Sequence, residues 1–295
     1  MRINRTDLRA FLKNALAEDI GPGDITTGSM VRRTARTSAQ LIMREGGVLC
    51  GLPVLREIFL LLDRDVRVIV QHREGTRVKS ATIIATLEGP ARAIFAGERL
   101  ALNILGRLSG IATLTSRYVA AVGVGGAVIL DTRKTTPGLR ALEKYAVVIG
   151  GGRNHRKGLW DQVLVKDNHI ALWRTQTSAH TTSLRDLVEH IRANAGKGIK
   201  IEIEVENLHE FKDAITAHPD IILLDNMPRA AIKSAVSFRN QLAAERRQPI
   251  TKLEASGGIT LKNVRAVSRT GVDMISIGAL THSARSLDFS LEVAR

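Results

Sequence analysis

The run Ile199-Lys200-Ile201-Glu202-Ile203-Glu204-Val205-Glu206 decides the fold class. Its side chains alternate with a period of two, Ile199, Ile201, Ile203 and Val205 on one face and Lys200, Glu202, Glu204 and Glu206 on the other, as in a β-strand. An edge strand with one wet face reads the same way, so the neighbours have to arbitrate. On both sides, short apolar runs end in polar or glycine residues. Val128–Leu130 ends at Asp131, Val163–Val165 at Lys166, Ile221–Leu224 at Asp225, Leu253–Ser256 at Gly257-Gly258, and Met274–Ile277 at Gly278. Helical patterns lie between them. One has Pro137 at its start and stops at Gly150-Gly151-Gly152, one carries Leu184, Leu187, Val188 and Ile191, and one runs from Asn207 to His218-Pro219. Another opens at Pro228, and one capped by Thr260 ends near Gly271. Repeated β-α units of roughly thirty residues imply a parallel sheet, open or closed into a barrel. About six units fit, fewer than a full eight-stranded barrel needs. In such a barrel the apolar face of 199–206 meets the helices and its carboxylates point inward. A buried carboxylate needs a cation. Glu202 is therefore expected to pair with a lysine lower in the barrel, and Glu204, nearer the mouth, to face a ligand.

Before residue 125 the rhythm differs. Residues 6–17 read as a helix capped by Thr6, and Gly21-Pro22-Gly23-Asp24 as a turn. Ala39–Met43, Val66–Val70 and Thr82–Leu87 read as strands, and Gly97–Val122 as a long helix broken or bent at Ser109-Gly110. This is an α+β layer, a sheet with helices against it.

With 295 residues, 44% of them hydrophobic and 24% charged, the composition is that of a globular protein. Apolar runs such as Ile58–Leu62 are too short to cross a bilayer, and the first residues lack the apolar segment of a signal peptide. Cys50 is the single cysteine, which excludes an intrachain disulfide or a thiolate metal cluster, and a cytoplasmic home is expected. The net charge of +14 points to polyanionic partners: nucleic acid, anionic lipid or a multiply charged small substrate. Basic residues are dispersed without a tail and aromatics are only 3%, so platforms for stacking bases are scarce.

The strand ends carry the chemistry, because parallel α/β sheets form their sites there. Glu204 and Asp225 make an all-oxygen pair suited to Mg²⁺, which keeps waters and binds phosphates. Opposite them stands a cationic set, Arg133, Lys134, His155, Arg156 and Lys166. Arginine forks match planar carboxylates, and lysine serves phosphate as a point charge. Such a set predicts a highly anionic ligand with a bound metal. Glycines at 150–152, 257–258 and 278 permit close approach to phosphate oxygens, although helix-ending turns use them too. Neither a phosphate-binding G-x-x-x-x-G-K-[ST] loop nor a dinucleotide-binding G-x-G-x-x-G turn is present.

At these residues the sequence resembles the quinolinate phosphoribosyltransferases, the carboxylating enzymes of pyridine-nucleotide and NAD synthesis. The matching stretches are EDIGPGDITT (18–27), ERLALNILGRLSGIAT (98–113), DTRKTTPGLRALEKYAVVIGGGRNHR (131–156), KDNHI (166–170), EIEVENL (202–208), ILLDNM (222–227), LEASGGI (253–259) and GVDMISIGALTHSARSLDFSL (271–291). The resemblance implies an N-terminal α/β sandwich (1–113, with a returning tail at 280–295) and an incomplete parallel barrel (114–279). It implies transfer of phosphoribosyl from phosphoribosyl pyrophosphate to quinolinate, with Mg²⁺ as cofactor. It also implies a homodimer whose site is shared across subunits, a hexamer being left open, with no nucleic-acid or membrane partner. By position, Arg99 resembles the arginine donated by the neighbouring subunit. Arg133, His155, Arg156 and Lys166 resemble the quinolinate clamp, and Lys134, Glu204, Asp225, Ser256, Gly257, Gly278 and His282 the phosphoribosyl pyrophosphate and Mg²⁺ site. Lys166, Glu204 and Asp225 are the expected catalytic residues. The nearest rivals are a sibling transferase for nicotinate or another ring acid and a related protein of molybdate-transport gene clusters; a nucleic-acid binder is a third.

Overall fold

The computed structural model describes residues 3–176, 183–246 and 251–294. In chain order the elements begin with α1 (Arg5–Ile20), α2 (Ile25–Met30), β1 (Arg36–Met43), β2 (Gly47–Val48), α3 (Leu52–Leu62), β3 (Arg67–Val70), β4 (Arg77–Val78), β5 (Thr82–Pro90) and α4 (Ala91–Val122). They continue with β6 (Val128–Leu130), α5 (Arg140–Ile149), β7 (Val163–Val165), α6 (Asp167–Gln176), α7 (Leu184–Asn194), β8 (Ile201–Val205), α8 (Leu208–Thr216) and β9 (Ile221–Asp225). The last are α9 (Arg229–Arg246), β10 (Lys252–Ser256), α10 (Val264–Ser268), β11 (Met274–Ser276), α11 (Ala279–His282) and β12 (Phe289–Val293). They form two compact units. The first comprises residues up to Ser116, Lys134–Gly152 and the segment from Ala279; the second comprises Arg117–Arg133 and Arg153–Gly278. Among the described residues no helix is long and apolar enough to cross a membrane.

In the first unit a four-stranded antiparallel sheet runs β12-β1-β5-β3. The tail returns here, with β12 set against β1 from Ala39↔Val293 to Met43↔Phe289. α1 is capped by Asn4, whose side chain accepts from the Thr6 and Asp7 amides, so Thr6 lies inside the helix that it was expected to cap. α4 runs unbroken through Ser109-Gly110, contrary to the expected bend. The glycines there serve contact instead of flexibility. A Cβ on Gly110 would sit 2.0 Å from the Arg285 carbonyl, and one on Gly106 2.6 Å from that of Leu287, so the helix admits the incoming tail only where side chains are missing. Arg107 of the same helix bonds Glu143 at 2.7 Å and the carbonyls of Ala284 and Thr281. With Tyr145 donating to Glu74, these bonds hold α5 in this unit, although its sequence lies between barrel strands.

The second unit is built on a six-stranded parallel sheet, β6-β11-β10-β9-β8-β7, an incomplete barrel. Its strands are those read from the alternation and polar ends above. α6 is an addition: it buries no residue, so it offers no apolar stripe to recognise. α7 and α8 start where their caps stand, at Ser183 with a capping box through Asp186 and at Asn207, which accepts from two amides, whereas α10 follows Asn263 and not the expected Thr260 cap.

Strand register defines the inward face. Glu202 pairs with Ile221 and Glu204 with Leu223 across β8 and β9, and Lys252, Glu254 and Ser256 pair with Ile221, Leu223 and Asp225 across β9 and β10. Leu164 stands opposite Glu202 and Met274 opposite Glu254. Side chains in matching register share a face. Glu202, Glu204, Asp225, Glu254 and Ser256 therefore all point inward, in tiers running from the amino to the carboxyl ends of the strands.

Candidate active site

The upper tier gathers the expected mouth residues. Lys166 Nζ donates to Glu204 Oε2 at 2.7 Å, and both side chains stay partly exposed. Asp225 closes the adjacent strand beside Ser256. Its next residue, Asn226, has a left-handed φ of 52°, and a Cβ on Gly257 would lie 2.1 Å from Asn226 Oδ1. Gly257 is thus required because the asparagine side chain occupies its space. Glu204 and Asp225, two oxygen donors on neighbouring strand ends within reach of solvent, fit a Mg²⁺ that retains waters.

The segment 153–156 supplies the next layer. Fully buried Asp131 accepts from Asn154 Nδ2 at 2.6 Å and from the His155 amide at 2.9 Å, fixing this segment against the end of β6. Arg156 is half-buried, and its guanidinium lies near Arg133. Burial first and the Arg133 charge second lower its pKa, against the opposing pull of Glu202, Asp161 and Glu204. Two guanidiniums held together while partly desolvated need an anion, and a rigid dicarboxylate provides two.

His155 departs from its expected place among the mouth cations. Its ring turns into the lower tier, with Nε2 3.1 Å from Glu202 Oε2 and 3.5 Å from Glu254 Oε1. The Arg156 amide donates to His155 Nδ1 at 2.8 Å, so Nδ1 is the acceptor and Nε2 carries the hydrogen, as in a neutral imidazole. Glu202 also finds different partners from the expected lysine. Its Oε2 takes His155 and, at 2.6 Å, Gln162 Nε2. Glu254, Gln162 and Asn154 were not singled out from sequence. Glu254 carried a signal nonetheless, because it stands two residues before Ser256 on the same strand and must face the same way.

Three expected residues belong to the first unit. Lys134 and His282 are brought close, since Thr281 Oγ1 donates to the Lys134 carbonyl at 2.7 Å and His282 follows directly. Both are exposed, as is Arg99 on α4.

Residues 24–109 match the N-terminal domain model of quinolinate phosphoribosyl transferase, and residues 111–292 match its C-terminal domain model. The chain belongs to the quinolinate phosphoribosyltransferase family. Among relatives, a probable carboxylating nicotinate-nucleotide pyrophosphorylase from Synechocystis is 42% identical over 97% of this chain and 92% of its own length. One from Bacillus subtilis is 40% identical over 99% and 95%. Among solved structures, NadC from Streptococcus pyogenes superposes with a TM-score of 0.89 at 37% identity, covering all of both chains.

Proposed function

We propose that Arg133 and Arg156 grip the two carboxylates of quinolinate while Glu204 and Asp225 hold Mg²⁺ for phosphoribosyl pyrophosphate. As a member of its family the chain transfers phosphoribosyl to quinolinate, releasing pyrophosphate and carbon dioxide and leaving nicotinate mononucleotide for NAD synthesis. The observation that carries the substrate reading is the half-buried Arg156 beside Arg133. Each side chain then has a defined task. The clamp orients the ring so that its nitrogen, which needs no base, faces the anomeric carbon. Bound Mg²⁺ would neutralise charge on the departing pyrophosphate. Lys134 adds a point charge for the same anion, and Ser256, Gly257, Gly278 and His282 contact the phosphates. Lys166, tied to Glu204, moves towards the new 2-position carbanion and protonates it. Arg99 acts across the interface of a homodimer in a cytoplasmic setting.

The deciding assay mixes the protein, Mg²⁺ and phosphoribosyl pyrophosphate with quinolinate or nicotinate and measures pyrophosphate and carbon dioxide. Carbon dioxide matching pyrophosphate with quinolinate, and negligible turnover with nicotinate, is expected. Equal turnover of both acids sinks the dicarboxylate clamp. For the shared site, mixing inactive Arg99→Ala with inactive Lys166→Ala chains should restore activity; none after verified subunit exchange removes Arg99 from its role.

A further inference from the structure

We propose that the lumen of the parallel barrel holds a hard divalent cation between Glu202 and Glu254, a site separate from the Glu204–Asp225 pair at the mouth. Both carboxylates are fully buried, and Glu202, Glu254 and His155 each bring one donor atom within 4.8 Å of the others. Strands β8 and β10 are not neighbours, so a flat sheet would separate these side chains by about two strand spacings, roughly 9–10 Å. Sheet curvature brings them together.

Their hydrogen bonding is uneven. Glu202 engages His155 and Gln162 through Oε2 alone, while its Oε1 and both oxygens of Glu254 lack a hydrogen-bond partner of good geometry. Buried carboxylate oxygens of both residues are thus left short of donors, an arrangement that is expensive without positive charge. The proton is the cation's competitor: burial and the Glu202 charge push the Glu254 carboxyl up to about 7, with His155 and Ser276 pulling the other way.

The lumen also has room. A cavity of about 570 Å³ reaches Glu254 and His155 from the amino ends of the strands. Arg153, Lys200 and Lys252 line it, yet among the described residues none of the three forms an ion pair with either glutamate, and the cationic pull on Glu202 comes from Arg156 above. Those basic side chains oppose entry of a cation, so modest affinity is expected. The ligand class follows from the donors. His155 stays a hydrogen-bond donor because the Arg156 amide occupies Nδ1, which leaves carboxylate oxygens and water as the ligands. Oxygen donors select Mg²⁺, Mn²⁺ or Ca²⁺ over softer zinc.

The test uses the full chain carrying Glu204→Gln and Asp225→Asn, so that the mouth pair does not contribute, stripped with chelator and titrated with Mn²⁺ while free Mn²⁺ is read by electron paramagnetic resonance. One bound Mn²⁺ per chain is expected, with at least a tenfold loss of affinity when Glu254→Gln is added and the fold is verified by circular dichroism. If that variant does not fold, Glu202→Gln takes its place. As a second readout, Mn²⁺ should broaden the His155 ring resonances selectively. A parent chain that binds no Mn²⁺, or a Glu254→Gln chain that binds it unchanged, overturns the proposal.

Discussion

Glu202 and Glu204 stand two residues apart on one strand and face the same way, yet they inhabit different media. Glu204 meets Lys166 where both are partly open to water, with relative exposures of 15% and 45%. Glu202 is sealed with Glu254 beneath them, partnered by a neutral histidine and an amide. One tier is therefore built for exchange, its ions screened by solvent and available to ligands. In the other, any unbalanced charge weighs on the fold. The difference is depth along a single strand, and it separates carboxylates open to solvent from carboxylates whose ionisation is coupled to stability.

The largest expected effect lies in the lower tier. Glu254 has a folded pKa of about 7 against an ordinary 4.5, so between these values the folded state binds more protons than the unfolded one. Stability must then fall as pH rises through that window, by on the order of 3 kcal/mol in chelator-containing buffer. Chemical denaturation from pH 4 to 8 should reveal the slope, and Glu254→Gln should flatten it. A wild-type chain with no slope would mean that the two tiers are electrostatically alike.

At the mouth the effect should appear in binding. Arg156→Lys keeps the charge but loses the planar fork, and quinolinate should bind about 1.5–3 kcal/mol more weakly. Calorimetric titration with each ligand separately checks this, because phosphoribosyl pyrophosphate should be affected far less. Equal losses for both ligands would reduce Arg156 to a contributor to the general field.

Asp225→Asn sharpens the contrast. The Mg²⁺ concentration for half-maximal rate should rise about tenfold, roughly 1.4 kcal/mol, while thermal stability stays within about 0.5 kcal/mol of wild type. A large drop in melting temperature with unchanged Mg²⁺ dependence would place Asp225 among the structural carboxylates. Smallest of all should be the stability change in Lys166→Met. Its ion pair is half-exposed, so a melt should show no more than about 1 kcal/mol lost even though activity disappears.

Local pattern in the sequence was enough to determine the six parallel strands, their polar ends and the helix starts at Asn207 and Pro228. Alternation and capping act over a few residues, and every side chain at a strand's carboxyl end is placed by that strand's own register. The same alternation marks Glu202 and Glu204 identically, because period two encodes a face and carries no information about depth. Only the curved sheet brought β10 over β8 and gave Glu202 its histidine, its glutamine and Glu254. Only the returning tail, arriving from about 175 residues further along the chain, revealed Gly106 and Gly110 as contact points inside an unbroken helix. α6 escaped because a helix that buries nothing leaves no hydrophobic period. Partners distant in sequence are selected by packing, which no window of neighbouring residues contains.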